Sequence, residues 1–179
     1  MIMGAAIAVF LGGLMIGRTP EFLGKKIGPE ENKMVALYAL AGPLTILILT
    51  AIAISTKAGL AGLTTNHGPH GLTTILFAFA SCFANNGQAF AGLSANTPFY
   101  NVMTAIAMMA GRYGLAIPAL IFAGLFAQQS ARPRTRGTLP TDSLSFGVLL
   151  TAFLILVTAL SYLPVLALGP VLEHLLSTI

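Results

Sequence analysis

Apolar residues fall in long runs separated by short polar gaps, at 1–16, 34–55, 71–84, 99–126 and 146–168. An α-helix rises about 1.5 Å per residue, so a hydrocarbon core of about 30 Å takes about 20 apolar residues to cross. The runs 34–55, 99–126 and 146–168 meet that length and predict transmembrane helices. Gly42-Pro43 predicts a kink in the first of them, and Gly111, Arg112, Gly114 and Pro118 interrupt the second. Pro164 and Gly169-Pro170 close the third, which leaves 169–179, with Glu173-His174, as a surface tail. The run 1–16 is too short to cross. It carries no charge before Arg18 and no cleavage site, so it reads as the end of a span that begins upstream, and not as a signal peptide.

The run 71–84 is also too short to cross, and Asn85-Asn86-Gly87-Gln88-Ala89-Phe90-Ala91-Gly92-Leu93 follows it directly. A half-span helix ending in a polar, glycine-containing strand predicts a re-entrant hairpin. Non-helical backbone survives at membrane depth only where it is buried in protein or lines a wet cavity. The expected fold class is therefore an all-α membrane protein, with transmembrane helices plus a re-entrant pore helix and filter loop.

Composition agrees: 56% of residues are hydrophobic, 8% are charged and the mean hydropathy is +0.86, too few charges to cover a soluble domain. One cysteine, Cys82, leaves no internal disulfide. The pI near 9.6 reflects basic residues in the gaps between spans, where they set orientation. Arg18, Lys25, Lys26 and Lys33 occupy one connection and Arg132, Arg134 and Arg136 another, and short basic loops prefer the cytoplasm. Both lie on the same side only if 71–84 dips in and returns. The outer connections then carry Lys57, His67 and His70, and both chain ends lie outside.

The dip suits a cation. A helix entering from outside at Gly71 and stopping at Ala84 points its C-terminal end, worth roughly half a negative charge, at the membrane centre. Asn85, Asn86 and Gly87 come next, and glycine there permits backbone angles that aim carbonyls at a bare ion. No Asp or Glu lies between Glu31 and Asp142, which excludes a carboxylate ring in that stretch. Asn85-Asn86-Gly87 is also compatible with an ordinary turn. Arg112, roughly midway along its span, reads as lining a polar cavity, with snorkelling to an interface as the alternative. His67 and His70 have no nearby carboxylate or cysteine in the sequence and read as a solvated loop and helix start, not as a metal site. Ser81 and His70 are the nearest nucleophile and base pairing. They sit eleven residues apart on one helix, about three turns, and cannot touch. No Walker loop and no Asp-Lys-Thr-Gly phosphorylation sequence is present, so ATP hydrolysis is not expected of this chain.

Two long blocks carry a resemblance: Gly13-Leu14-Met15-Ile16-Gly17-Arg18-Thr19-Pro20-Glu21-Phe22-Leu23-Gly24-Lys25-Lys26-Ile27, and Asn85 through Phe99 with its Asn-Asn-Gly-Gln-Ala-Phe-Ala-Gly-Leu-Ser-Ala-Asn-Thr-Pro-Phe sequence. Gly111-Arg112-Tyr113-Gly114, Gly137-Thr138-Leu139-Pro140-Thr141 and Leu166-Ala167-Leu168-Gly169-Pro170 extend it over nearly the whole chain. The sequence resembles the KdpA family, the potassium-binding subunits of Kdp potassium-transporting ATPases, and matches their C-terminal portion.

That resemblance implies a multi-pass protein of the bacterial inner membrane, built from potassium-channel-like helix-pore-helix repeats. It implies a non-catalytic transport subunit that captures potassium from the periplasm and works with the P-type ATPase subunit KdpB and the small subunits KdpC and KdpF. Potassium is the transported ion, no organic cofactor is implied, and ATP is bound by the partner. On the family pattern, 1–17 is the end of the second helix of the third repeat and 18–33 a cytoplasmic loop. The fourth repeat is 34–126, followed by a cytoplasmic basic loop at 127–145, a final transmembrane helix at 146–168 and a periplasmic tail at 169–179. Gly87 matches the filter glycine of the fourth pore loop, with Asn85 and Asn86 beside it, and Arg112 matches a basic residue below the filter. Ala84 stands where the family often has another asparagine. A filter needs four such loops, so this portion alone is expected to transport nothing. A passive Trk/Ktr-type potassium transporter shares the same pore-loop physics, and a purely structural membrane subunit is a third reading; the Gly-Arg-Thr-Pro-Glu block favours the Kdp type.

Overall fold

Where the hydropathy pattern predicts helices the chain forms them, with informative differences at their ends. In a computed structural model, residues 2–88, 91–130, 133, 140–141 and 143–177 are described, apart from the side chains of residues 161 and 162. Ala89 and Phe90, and the predicted basic-loop residues Arg132, Arg134 and Arg136, lie outside the described residues. The elements are α1 (Ile2–Met15), β1 (Glu21–Phe22), β2 (Lys25–Lys26), α2 (Pro29–Ser55), α3 (Lys57–Leu60), α4 (Pro69–Phe83), α5 (Pro98–Gln128) and α6 (Leu144–Ser177). Three of them, α2, α5 and α6, are long and apolar enough to cross a membrane. Large apolar side chains such as Leu120 and Leu160 stand more than 70% exposed, which suits lipid or protein neighbours and not water. The chain is an all-α membrane protein.

Helix α2 begins at Pro29, five residues before the apolar run. Proline at the first helical position and Glu30 and Glu31 in the first turn are start signals that a hydropathy reading passes over. Glu31 Oε2 accepts the Gly28 N–H at 3.0 Å, satisfying a donor ahead of the helix. The second difference lies at the end of the last helix. Pro164, Gly169 and Pro170 do not stop α6, which continues to Ser177, so Glu173 and His174 ride on a helix and not on a loose tail. In apolar surroundings, an open helix end leaves more unsatisfied carbonyls than a proline that removes one bond in passing.

Two compact units divide the chain. The first comprises Met1–Ala39 and Ala116–Leu160. Gly17, at φ +67°, ends α1 with paired bonds from Gly17 N to Leu14 O and from Arg18 N to Gly13 O. Leu23 and Gly24, both at positive φ, then turn the β1–β2 hairpin. Its Phe22 joins Phe122, Phe126 and Phe146 in the core of this unit, and Phe122 and Phe126 stack at 4.4 Å. Lys25 Nζ donates to Phe126 O in the last turn of α5, and Gln129 Nε2 donates to Glu31 Oε1 at 2.5 Å. The polar segment predicted as a plain loop at 18–33 thus caps one helix C-terminus and borders one helix N-terminus.

The second unit comprises Leu40–Leu115 and Ser161–Ile179. Its core surrounds α4, with Ile75, Leu76, Phe79 and Phe83 packed among Ile46, Leu49, Ala53, Tyr100 and Ala107. Tyr100 is fully buried, stacks on Phe79 at 6.0 Å and donates its hydroxyl to Gly59 O at 2.8 Å. A Cβ at Gly62 would stand 2.4 Å from the Tyr100 ring, so the ring can lie there only because residue 62 has none.

Candidate functional site

Both flanks of α4 are joined to each other. Leu63 and Leu93 form an antiparallel bridge, with Thr64 N donating to Gly92 O at 2.9 Å and Ser94 N donating to Gly62 O at 2.7 Å. Between these bonds the chain runs out along α4 and comes back. Fifteen helical residues cover about 22 Å. The eight steps from Ala84 to Gly92 reach about 26 Å when extended, enough to return. The chain therefore enters and leaves this excursion at one place.

The start of α4 is set by Gly68 at φ +82° and Pro69 at the first helical position. Asn66, itself at φ +57°, donates from Nδ2 to Thr74 Oγ1 at 3.5 Å. His70 Nε2 lies 2.9 Å from Glu173 Oε2 of α6, both about half exposed. Glu173 lies over a hundred positions from His70 in the sequence, so no local pattern pairs them. Among the described residues no group of three or more His, Cys, Asp or Glu is placed to hold a metal ion.

At the other end α4 stops at Ala84. Asn85 takes up the left-handed conformation at φ +57°, with Asn85 N donating to Cys82 O at 3.0 Å and Asn86 N to Ser81 O at 3.2 Å. This is the glycine-type helix stop, with asparagine in the position that tolerates positive φ. Asn85 also ties the turn to α5. Its Nδ2 donates to Phe83 O at 3.0 Å and Met108 O at 3.4 Å, and its Oδ1 accepts from Arg112 Nη2 at 3.4 Å. Asn86 Oδ1 accepts from Ser81 Oγ and from Gln88 N, the latter at 3.3 Å. The two asparagine side chains hold the loop in shape.

Gly87 follows them at φ +68°, exposed, with no heavy atom within 4 Å of where a Cβ would lie. Within this chain the constraint on Gly87 is its backbone angle. Within this chain Arg112 is exposed and not in a polar cavity, and it reaches Asn85 from α5. The four predicted residues, Asn85, Asn86, Gly87 and Arg112, thus belong to one cluster at the C-terminal end of α4. Two supports escaped sequence reading. Ser81, buried at 5% exposure, serves not as a nucleophile but as a hydrogen-bond partner of the loop. Gly42 and Gly111 let α2 and α5 close on Phe83, where added Cβ atoms would stand 3.2 Å from its ring and 1.9 Å from its carbonyl oxygen. A serine one turn before a helix stop and a glycine facing it are weak sequence signals, because small residues are common in membrane helices.

The family model described as potassium-transporting ATPase A subunit, KdpA, matches residues 1–175. The chain belongs to the KdpA family. It is 54% identical over 175 residues to the potassium-transporting ATPase potassium-binding subunit of Laribacter hongkongensis, covering 98% of this chain and 31% of that protein. The proteins of the same name in Methylibium petroleiphilum and Burkholderia mallei are also 54% identical, over 176 residues, with 30% and 29% of their lengths covered. The chain spans about a third of the length of these KdpA relatives.

Proposed function

We propose that this KdpA chain contributes one pore loop to a potassium-binding site in an ATP-driven potassium uptake complex of the bacterial inner membrane. The observation that carries the reading is the closed hairpin: the Thr64–Gly92 and Gly62–Ser94 bonds bring back to its start a helix too short to cross. At its far end lie the negative pole of α4 and a loop with Asn85 and Gly87 at positive φ. In this reading Asn85, Asn86 and Gly87 form the fourth pore loop of a four-loop carbonyl filter, with backbone oxygens replacing the hydration shell of potassium. Arg112 sits below it. KdpB supplies ATP hydrolysis, KdpC and KdpF complete the complex, and the regions 18–33 and 127–145 face the cytoplasm while 169–179 faces the periplasm. Membership of the family and the names of its relatives support potassium as the ion.

Single cysteines test the hairpin. In a Cys82→Ser background, cysteines at Asn66 and Asn96 are expected to react with an impermeant maleimide from the periplasm, and a cysteine at Arg134 only from the cytoplasm. Labelling of positions 66 and 96 from opposite sides overturns the re-entrant reading.

Arg112 gives a second test. A fixed cation beside a cation pathway opposes binding, by the order of 1 kcal/mol in partly wet surroundings. Arg112→Gln in the complete complex is expected to lower the potassium concentration for half-maximal ATPase stimulation roughly fivefold and to slow potassium release. Parental potassium dependence in a fully assembled variant makes Arg112 a structural tie to Asn85 alone.

A further inference from the structure

We infer that Ser81 is a positioning residue for ion discrimination: its hydroxyl joins the Asn86 side chain to the Gln88 backbone N–H, one on each side of Gly87, and so sets the direction of the loop carbonyls without touching the ion. The inference rests on the filter reading of Asn85–Gly87. Gly87 cannot hold itself, since it has no side chain and nothing lies within 4 Å of its would-be Cβ. Its φ of +68° must be imposed by its neighbours. Both neighbours are tied to Ser81. Asn86 binds it twice, through Asn86 N to Ser81 O at 3.2 Å and through Asn86 Oδ1, which accepts the Ser81 hydroxyl proton. On the other side, Gln88 N donates to Ser81 Oγ at 2.6 Å.

The clasp needs one atom that donates and accepts at once, which a hydroxyl does. Elsewhere in the chain the hydroxyls of Ser55, Thr104 and Thr158 turn back onto the carbonyl four residues earlier, the usual outlet for such groups in a helix. Ser81 spends its single proton on Asn86 instead, from a buried position. Residues 86–88 are exposed and have no strand partner among the described residues, so these bonds restrain the loop against a range of alternative conformations. Losing them misdirects the carbonyls while leaving α4 and its packing in place. The consequence falls on the ion, because discrimination depends on the number and geometry of the coordinating dipoles.

The experiment measures potassium-stimulated ATPase activity and the rubidium-to-potassium ratio of half-saturating concentrations in the complete, assembled complex carrying Ser81→Ala, Ser81→Thr or Gly87→Ala. Ser81→Ala is expected to raise the half-saturating potassium concentration about three- to tenfold and to bring the rubidium ratio nearer to one, with the change in half-saturation and not in maximal rate. Ser81→Thr, which keeps the hydroxyl, restores both. Parental half-saturation and ratio in Ser81→Ala, while Gly87→Ala shifts both, overturns the role of Ser81 and leaves the filter reading intact. Parental values in both variants overturn the filter reading and this inference with it. If Ser81→Ala does not assemble, Ser81→Cys is read in its place: it keeps the size with a weaker donor and acceptor, so a partial shift in both quantities supports the clasp and parental values overturn it.

Discussion

Replacing Gly87 by alanine is expected to raise the potassium concentration for half-maximal ATPase stimulation in the complete complex by roughly five- to thirtyfold, and to weaken discrimination against rubidium, ammonium and sodium. The cause is conformational. Residue 87 sits at φ +68°, and a side chain in the left-handed region costs about 1–2 kcal/mol relative to glycine, where each 1.4 kcal/mol is tenfold in an equilibrium constant. Steric contact adds nothing within this chain, because the added methyl would meet open space. The loop can relieve the strain only by rotating the peptide units on either side of residue 87, which are the ones read here as lining the pathway. Gly87→Asp adds a carboxylate to a site built from neutral dipoles, so discrimination falls further. A potassium titration of ATPase activity, repeated with rubidium, measures both effects. Parental affinity and selectivity in a correctly assembled Gly87→Ala complex would reduce Gly87 to a turn residue.

Among the glycines described, Gly111→Ala is expected to be the most damaging single methyl, lowering the stability of the folded protein by about 3 kcal/mol, the upper part of the range for overpacking. Its Cβ would stand 1.9 Å from the Phe83 carbonyl oxygen, where atoms under 3.0 Å apart must shift. Backbone faces backbone here, so no side chain can swing aside. Helix α5 must withdraw from the end of α4 by at least about 1.1 Å, the difference between those two distances. The withdrawal also strains the Asn85 bonds to Met108 O and Arg112, which hold the loop to α5. Gly114, three residues along the same helix, has open space at its Cβ within this chain. Gly114→Ala is therefore the control: it gains helix propensity of up to about 1 kcal/mol and meets nothing. Thermal melting of the purified protein in detergent, with the yield of assembled complex, compares the two. Equal melting temperatures for the Gly111 and Gly114 variants would contradict the close approach of α5 to Phe83.

Hydropathy determined which segments are helices long enough to cross and which is too short, because the thickness of a bilayer converts directly into a count of apolar residues. It also singled out Asn85, Asn86 and Gly87, a polar, glycine-containing stretch after a half-span helix, and Arg112, a charge midway along an apolar span, which the fold brings to Asn85. Helix ends were less legible. Start signals at Pro29–Glu31 are polar and lie outside the apolar run, and the stop signals at Pro164 and Gly169-Pro170 hold for helices in water but not for α6. Beyond the sequence lay every relation between distant residues. Thr64 meets Gly92, His70 meets Glu173 and Gly111 meets Phe83, and none of these pairs has a period or motif to announce it. The same holds for what each loop residue does. Composition suggests a carbonyl-lined turn, but only the folded chain assigns Asn85 to stopping the helix and gripping α5, and Asn86 to the Ser81 clasp. Local backbone preference and the bilayer act on neighbouring residues and can be read along the chain; hydrogen bonds and close packing are decided by three-dimensional proximity, which a linear pattern does not contain.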